Sequence, residues 1–532
     1  ELEFGTGGLR GVIGAGTNRM NIYTVRKATQ GLADYVNQSF KNGSVAIAYD
    51  SRNKSEIFAK EAASVLAASG LQVYIYPELM PTPMLSYAVR TLKCSAGIVI
   101  TASHNPAKYN GYKAYGADGC QITLEAAEIV LAKIANVDTF TGVKILDFEK
   151  GISEGKIEYI KQSVIDAYLD KVLEQGIHTD LCPTSGLKVV YTPLNGTGNK
   201  PVRAILKKIG ISDVTVVPEQ ENPNGDFTTC PFPNPEIEEA LNLGLKLCQK
   251  VKPDLLLATD PDCDRVGIAV PSPTGEYVLF SGNEVGAMLL EYVCAERTAL
   301  GTMPKNPVAV KTIVSTDITR AIGKAYNVEI IEVLTGFKFI GEQIGLLEEK
   351  HQENRYIFGF EESYGYLSGS YVRDKDAVNA SMLICEMAAF YRTKGITLLQ
   401  ARENMYKKYG VYVHKQKSFT CEGAAGMQKM KELMGMLREK TPTTIGGLKV
   451  TRFADYVASE EIDTATGKKS RLTLPKSDVL AFILTDGASV IIRPSGTEPK
   501  IKAYFTTTGV TKDIADEIEA KLADDFTKIL GF

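Results

Sequence analysis

Three times in this 532-residue chain, a short β-branched run, a turn, a helical segment and a second β-branched run follow in the same order. The first copy is Ser44–Tyr49, the turn Asp50–Asn53, a helix over 55–69 stopped by Gly70, and Leu71–Tyr76. The second is Leu187–Thr192, the turn Pro193–Gly198, a helix over 201–209, and Val214–Val217. The third is Val308–Ile313, the turn Val314–Asp317, a helix ending at Tyr326, and Val328–Ile331. Runs this short and apolar, bounded by turn residues, read as buried strands, and the order is that of a βαβ unit. A further apolar strand follows each copy and ends in a polar loop. Ala96–Ile100 leads into Thr101-Ala-Ser-His-Asn-Pro106, Asp254–Ala258 into Thr259–Arg265, and Arg355–Phe358 into Gly359–Gly365.

The expected fold class is α/β: three similar mixed α/β domains followed by a fourth, α+β domain, around a central cleft. A length prior of about 150 residues per domain agrees with three or four. The boundaries read as 1–180, 181–302, 303–410 and 411–532. In open α/β sheets ligands bind beyond the carboxyl ends of the strands, so the three polar loops are expected to meet there. The tail starts after a linker near 405–415. It contains a hairpin, Ser489–Phe505, with a polar loop between two strands, and a helix over 511–529; its Lys/Glu-rich stretch 460–470 reads as a solvated loop.

Each polar loop carries a recognisable chemistry beside a plainer reading. Pro106 forces a turn after Ile100 and biases Asn105 away from helix, which mounts Ser103 at a strand end with its hydroxyl exposed and His104 beside it. That suits a nucleophile or a phosphate carrier; a Ser/Asn turn without chemistry fits equally well. Asp260, Asp262 and Asp264 alternate on one short loop, where three carboxylates repel unless a cation neutralises them. Arg265 and Pro271 stand where an EF-hand needs Gly and Glu, and oxygen-only ligation favours Mg²⁺ or Mn²⁺ over Zn²⁺. Glu361 and Ser363, two apart on an extended segment, share a side and suit neighbouring sugar hydroxyls.

Lys113, on the alternating stretch Tyr109–Tyr115, suits proton transfer, and Arg373-Asp-Lys-Asp376 brings Lys375 and an arginine soon after the Glu361 loop; both lysines read equally as exposed side chains. The hairpin loop Arg493-Pro-Ser-Gly-Thr-Glu-Pro-Lys500 offers a forked cation, two hydroxyls and turn amides to a phosphate, or is simply a polar tip. Phe4–Gly11, rich in glycine, is a flexible loop or lets Arg10 reach an anion. His178, His351 and His414 show no partner pattern.

Composition narrows the field. Net charge is −3 with no long basic run, and no apolar stretch approaches the ~18 residues of a membrane span, so neither a nucleic-acid nor a membrane partner is expected. Nine cysteines, odd in number and without a CxxC pair, point to reduced thiols and the cytoplasm. No signal peptide is expected, and because residue 1 is Glu, an N-terminal segment ahead of it is expected.

Four motifs in this order and spacing resemble the α-D-phosphohexomutase family, which includes phosphoglucomutase and phosphomannomutase: Thr101–Pro106, Asp260–Arg265, Gly359–Ser363 and Arg493–Thr497. Phe4–Arg10, Leu334–Lys338 and Arg373–Asp376 are similar to the branch holding bacterial-type phosphoglucomutase and the phosphopentomutases. The resemblance implies that Ser103 is a phosphoserine. It implies that Asp260, Asp262 and Asp264 hold one Mg²⁺ per chain together with an oxygen of that group. Glu361 and Ser363 would bind sugar hydroxyls, with Lys375 beside them. Arg493, Ser495, Gly496 and Thr497 would hold the phosphate that is not reacting. Arg10, His104, Lys113 and Arg265 would line the reacting end, Lys113 as a base with a lowered pKa, and Gly336 and Lys338 would lie in a sugar-recognition loop. Tyr364 stands where some relatives carry a His, so no such His serves here.

The implied activity interconverts glucose 1-phosphate and glucose 6-phosphate through phosphoserine and glucose 1,6-bisphosphate, which is also the activator. The alternatives are phosphopentomutase, phosphomannomutase, synthesis of the bisphosphate, phosphate-ester hydrolysis, or a phosphosugar-binding protein without catalysis. The expected partner is a small phosphosugar, and the expected state a monomer, with a dimer as the alternative.

Overall fold

Four β-sheets carry the architecture of the chain, seen here in a computed structural model that describes residues 2, 4, 7–421, 426–494 and 500–532. The chain divides into two compact units: Glu1–Lys311 with Asn327–Ile331 and Gly336–Ala401, and Thr312–Tyr326 with Glu332–Thr335 and Arg402–Phe532.

In the first unit, strands β1 (Gly8–Val12), β2 (Ser44–Tyr49), β3 (Gln72–Ile75), β4 (Ala96–Ile100), β5 (Tyr109–Gly116) and β6 (Ile157–Tyr159) form a sheet in the order β1-β5-β4-β2-β3-β6. β2, β3, β4 and β6 run parallel, and β5 is antiparallel to both β4 and β1. All five residues of β4 are buried, as expected for a parallel strand covered on both faces. Gly97 lets the helix Thr82–Thr91 pack close: a Cβ there would lie 2.5 Å from Val89 Cγ2. The helix Ile22–Ser39 starts from a capping box at Asn21 and buries Val25, Leu32 and Val36 in the same core as Ile47, Phe58, Leu66 and Ile98.

The second copy contributes β7 (Val189–Thr192), β8 (Val214–Val216), β9 (Leu255–Thr259), β10 (Val266–Pro271) and β11 (Tyr277–Phe280), ordered β11-β10-β9-β7-β8. β8, β7 and β9 are parallel, and β10 returns antiparallel from β9. The third copy has β12 (Val308–Thr312), β13 (Glu329–Val333), β14 (Tyr356–Glu361) and β15 (Gly365–Leu367). β12 pairs with β14 in parallel, and β15 folds back antiparallel on β14.

The second unit holds an antiparallel sheet of β16 (Val411–Thr420), β17 (Thr444–Ile445), β18 (Leu448–Asp455), β19 (Glu460–Asp463), β20 (Lys469–Arg471), β21 (Leu480–Leu484), β22 (Ser489–Pro494) and β23 (Lys500–Gly509). Its order is β16-β23-β22-β21-β18-β19-β20, with β17 on β18. The helices Gly426–Glu439 and Lys512–Ile529 cover it, burying Met430, Met434, Leu522 and Phe526 against Phe482, Val490 and Phe505.

The α/β class and the α+β tail match expectation, and two local readings need correction. The stretch 405–415 is no linker: the helix Leu398–Tyr409 is separated from β16 by Gly410 alone, at φ +93°. The charged stretch 460–470 is no loop but the β19–β20 hairpin at the end of the sheet, where charged side chains face water and Lys469 pairs with Glu460 across the strands at 2.9 Å. All nine cysteines are free and buried. Among the described residues no helix is long and apolar enough to cross a membrane.

Candidate active site

Three strand ends in the first unit, those of β4, β9 and β14, bring together most of the side chains singled out above. Ser103 sits just beyond β4 in the left-handed region, φ 52°, with its N–H donated to Thr101 Oγ1 at 2.8 Å. Its hydroxyl is not exposed as the turn alone suggested: the residue is only 4% accessible, and Oγ donates to Asp260 Oδ2 at 2.9 Å. Nδ1 of His104 lies 3.2 Å from the same Oγ. Burial, then the positive charges of Arg265 and Arg10, hold the His104 pKa well below its usual value, so the ring is neutral.

The loop after β9 wraps around Asp260, whose Oδ1 accepts the N–H groups of Asp264 and Arg265 at 3.1 and 3.0 Å. Asp260, Asp262 and Asp264 are all buried, each with a carboxylate oxygen within 4.8 Å of the others. Asp262 Oδ2 accepts the Thr82 hydroxyl at 3.0 Å and Lys113 Nζ at 2.9 Å, and Lys375 Nζ lies 3.1 Å from Asp264 Oδ2. Oδ1 of Asp262 and Oδ1 of Asp264 are buried without a hydrogen-bond partner. Such orphaned oxygens are costly unless something positive meets them, so the trio fits a hard dication. Burial and repulsion from Asp262 and Asp264 push the Asp260 pKa well above the carboxylate range. Burial also opposes ionisation of Asp262, but Lys113, the bond with Asp260 and Lys375 together outweigh it and hold Asp262 below that range.

Lys113 departs from expectation. Burial alone would lower its pKa, yet Asp262 and Asp264 together raise it above the ordinary lysine value. Lysine that faces two carboxylates stays an ammonium, and a base with a lowered pKa is not what this packing makes. Arg265 is held charged in the same way: its Nη1 donates to Glu236, and its Nε lies 3.9 Å from Asp264 Oδ1. Arg10 lies on β1 opposite Gly111 of β5, where its charge is felt by His104 and by Arg52.

At the third strand end, Glu361 closes β14 and its Oε1 accepts the N–H of Gly336 at 2.9 Å. Gly336 caps the helix Phe337–Glu349 at φ 124°, a conformation that favours glycine. Lys375 Nζ lies 2.9 Å from Asp374 Oδ1 and 5.6 Å from the centre of the Phe337 ring. Its stem passes Gly365 so closely that a Cβ there would sit 2.2 Å from Lys375 Cδ. Ser363 does not share an extended segment with Glu361. Glu361 pairs directly with Gly365, which puts Ser363 in the intervening hairpin turn. Lys338 follows in the same helix start, its Nζ over the Phe339 ring at 5.2 Å and its carbonyl accepting the Cys120 thiol. Arg373 is taken up by Glu348 at 2.6 Å.

In the second unit, Arg493 on β22 stands opposite Lys502 of β23 and donates to the Tyr504 hydroxyl at 3.1 and 3.3 Å. Ser495, Gly496 and Thr497 lie outside the described residues.

Several contributors escaped the sequence reading: Thr82, Glu236, Asp374, Tyr115, which donates to Asp374 at 2.6 Å, and Arg52 beneath the Ser103 turn. Each acts across a long sequence separation, and only Arg52, two residues after Asp50 in a turn between apolar runs, left a local trace.

The first-unit arrangement is a hydroxyl on a carboxylate cage, ringed by the cations Lys113, Lys375 and Arg265. It can hold a metal ion and a strongly anionic group side by side. Comparison with known proteins agrees. The phosphoglucomutase/phosphomannomutase α/β/α domains I, II and III match residues 1–140, 166–274 and 281–409, and the C-terminal domain of the same family matches 446–525. A phosphoglucomutase of Staphylococcus aureus (strain bovine RF122 / ET3-1) is 39% identical over 526 residues, covering 98% of this chain and 92% of the relative. One of Staphylococcus saprophyticus is 37% identical, covering 95% and 90%. In fold, a putative phosphomannomutase from Thermus thermophilus superposes with a TM-score of 0.73 at 23% identity, covering 100% of this chain and 99% of its own. Parafusin, a phosphoglucomutase from Paramecium in an open form, gives 0.73 at 18%, covering 99% and 94%.

Proposed function

Since the chain belongs to the phosphoglucomutase/phosphomannomutase family, the α-D-phosphohexomutases, we propose that it interconverts glucose 1-phosphate and glucose 6-phosphate. The observation that carries this reading is the Ser103 hydroxyl on Asp260, beside two buried carboxylate oxygens that have no partner.

Phospho-Ser103 gives its phosphoryl group to O6 of glucose 1-phosphate. The P–Oγ bond breaks, the P–O6 bond forms, and one proton passes in balance from the sugar hydroxyl to Ser103 Oγ. Glucose 1,6-bisphosphate, intermediate and activator, then turns over, and its C1 phosphoryl returns to Ser103 to leave glucose 6-phosphate. In that second half the P–O1 bond breaks, the P–Oγ bond forms, and the proton of Ser103 Oγ passes to the sugar O1; Asp260 Oδ2 accepts that proton's hydrogen bond at 2.9 Å, and His104 Nδ1 lies 3.2 Å from Oγ. One Mg²⁺ per chain, held by Asp260, Asp262, Asp264 and an oxygen of phospho-Ser103, supplies charge neutralisation when bound.

The residue types follow from the chemistry. Acceleration of phosphate-ester cleavage can reach ~10²¹-fold, and in a loose transition state positioning and charge stabilisation do most of that. A phosphoserine brings roughly −1.5 to −2 of charge. Lys113, Lys375, Arg265 and Arg10 answer it as cations, and we read Lys113 as an ammonium here in place of the base expected of it. Glu361, Ser363, Gly336 and Lys338 are assigned to the sugar, and Arg493, Ser495, Gly496 and Thr497 to the idle phosphate. We assign the protein to the cytoplasm as a monomer, a state that sedimentation reads directly.

The test is turnover of glucose 1-phosphate with Mg²⁺ and a trace of the bisphosphate. Glucose 6-phosphate should form without steady release of inorganic phosphate, and intact mass should show one phosphoryl group on the chain. Ser103→Ala should remove that mass and lower kcat by ~10³-fold or more. No conversion by the primed protein would leave a binding protein, and steady phosphate release would make it a hydrolase. The ratio of kcat/KM for glucose, ribose and mannose 1-phosphates decides the sugar.

A further inference from the structure

Arg52 takes none of the roles above, yet its guanidinium donates to four backbone carbonyls around Ser103. Its side chain is fully buried. Nη2 donates to the carbonyl oxygens of Ser103 and Asn105. Nη1 donates to those of Pro106 and Tyr109, at 3.0 and 3.1 Å. Nε faces Asp50 Oδ2 at 3.3 Å, and Asp50 is itself held by the Ser55 hydroxyl at 2.7 Å and by the Arg52 N–H at 2.9 Å. The guanidinium lies over the Phe227 ring, 5.1 Å from its centre.

We propose that Arg52 is a positioning residue for phosphoryl transfer: its guanidinium grips the turn from beneath and fixes the direction in which Ser103 Oγ points. This rests on the phosphoserine reading and deepens it. The turn leaves β4 and lies outside the strands from Ala102 to Lys108; backbone N–H groups reach its Ala102, Pro106 and Lys108 carbonyls, while Arg52 Nη2 serves those of Ser103 and Asn105. Ser103 must also be kept at φ 52°, which an L-residue adopts only at a cost. One planar fork bridges four carbonyls from a single buried charge, those of Ser103, Asn105 and Pro106 in the turn and of Tyr109 at the start of β5, and Asp50 balances that charge. A lysine has the charge without the fork, so it would hold one side of the turn and release the other. Release matters because a misplacement of about 1 Å at a reacting group can cost ~10²-fold in rate.

Two variants of the full chain test this, Arg52→Lys and Phe227→Leu, assayed below their own melting temperatures with saturating Mg²⁺ and bisphosphate. For folded Arg52→Lys, kcat should fall about 10- to 100-fold while KM for glucose 1-phosphate stays within about threefold. The share of chains carrying phosphate on Ser103, read by intact mass, should fall with it. Phe227→Leu keeps the guanidinium and loosens its seat, so a fall of about two- to fivefold in kcat, again with KM held, is expected. A folded Arg52→Lys with wild-type kcat and phosphate content overturns the proposal; should that variant not fold, unchanged kcat in Phe227→Leu does so. A wild-type protein that neither turns over glucose 1-phosphate nor takes up phosphate fails the functional reading instead, before either variant is compared.

Discussion

At the level of single residues, Ser103 and the aspartates it meets are legible in the sequence because the chemistry proposed for them demands particular side chains at short spacing. Ser103 before His-Asn-Pro, and three aspartates alternating over five positions, stand out in any chain. What the spacing could not show was ionisation. Lys113 is fixed as a cation by Asp262 at 2.9 Å and Asp264 at 3.7 Å, residues about 150 positions away. Lys113→Met, which keeps the stem and deletes the charge, should therefore lower kcat about 10²-fold. Removing a cation from a buried acidic trio favours tighter metal binding, so a lower half-saturating Mg²⁺ together with the lower kcat is the expected pair. A parallel rise in half-saturating Mg²⁺ would instead make Lys113 a scaffold for the cage.

Elements were read well where apolar runs and turn residues agreed, and poorly where charge misled. β2, β4 and β9 lie where the pattern put them because each is a short buried run with no alternative partner. The β19–β20 hairpin was missed because exposed strands carry the same residues as loops, and the Gly410 break was widened into a linker. The helix Ala377–Thr393 shows a device that no pattern revealed. Its cap, Asp376, accepts the N–H groups of Val378 and Asn379, both at 2.9 Å, and the hydroxyls of Tyr168 and Tyr371 at 2.8 and 2.7 Å. Burial nonetheless raises its pKa. A raised folded value means that the folded chain holds the proton over a range where the unfolded chain, with a pKa of about 3.9, has lost it. The stabilising contribution is complete below that unfolded value and is lost as pH rises through the folded one. Asp376→Asn keeps a good cap and removes the titration. Its thermal midpoint should gain on the wild type as pH rises above about 4; parallel curves would show that Asp376 does not titrate.

Across the whole molecule, the order of the first three domains is readable because each repeats one βαβ theme, while the contacts that join their loops are not. Asp262 bonded to Thr82, and Tyr115 to Asp374, are products of folding that a linear pattern does not contain. They give the first unit a seam stitched through buried acid, so its stability should depend on the ion that neutralises it. Mg²⁺ at about 100 times its Kd should add about 2.7 kcal/mol to that unit, seen as a higher thermal midpoint that EDTA reverses. Asp264→Asn should shrink the Mg²⁺ shift.

The hidden thiols divide unevenly: Cys421 lies in the second unit, and Cys94, Cys120, Cys182, Cys230, Cys248, Cys263, Cys294 and Cys385 in the first. Burial also pushes several of them up, Cys94 to about 11 and Cys182, Cys230 and Cys248 to about 12, so few are thiolate at neutral pH. A coloured disulfide reagent added to the native protein thus acts as a clock for opening. One equivalent of colour times the loosening of the tail, eight time that of the body, and no label need be engineered.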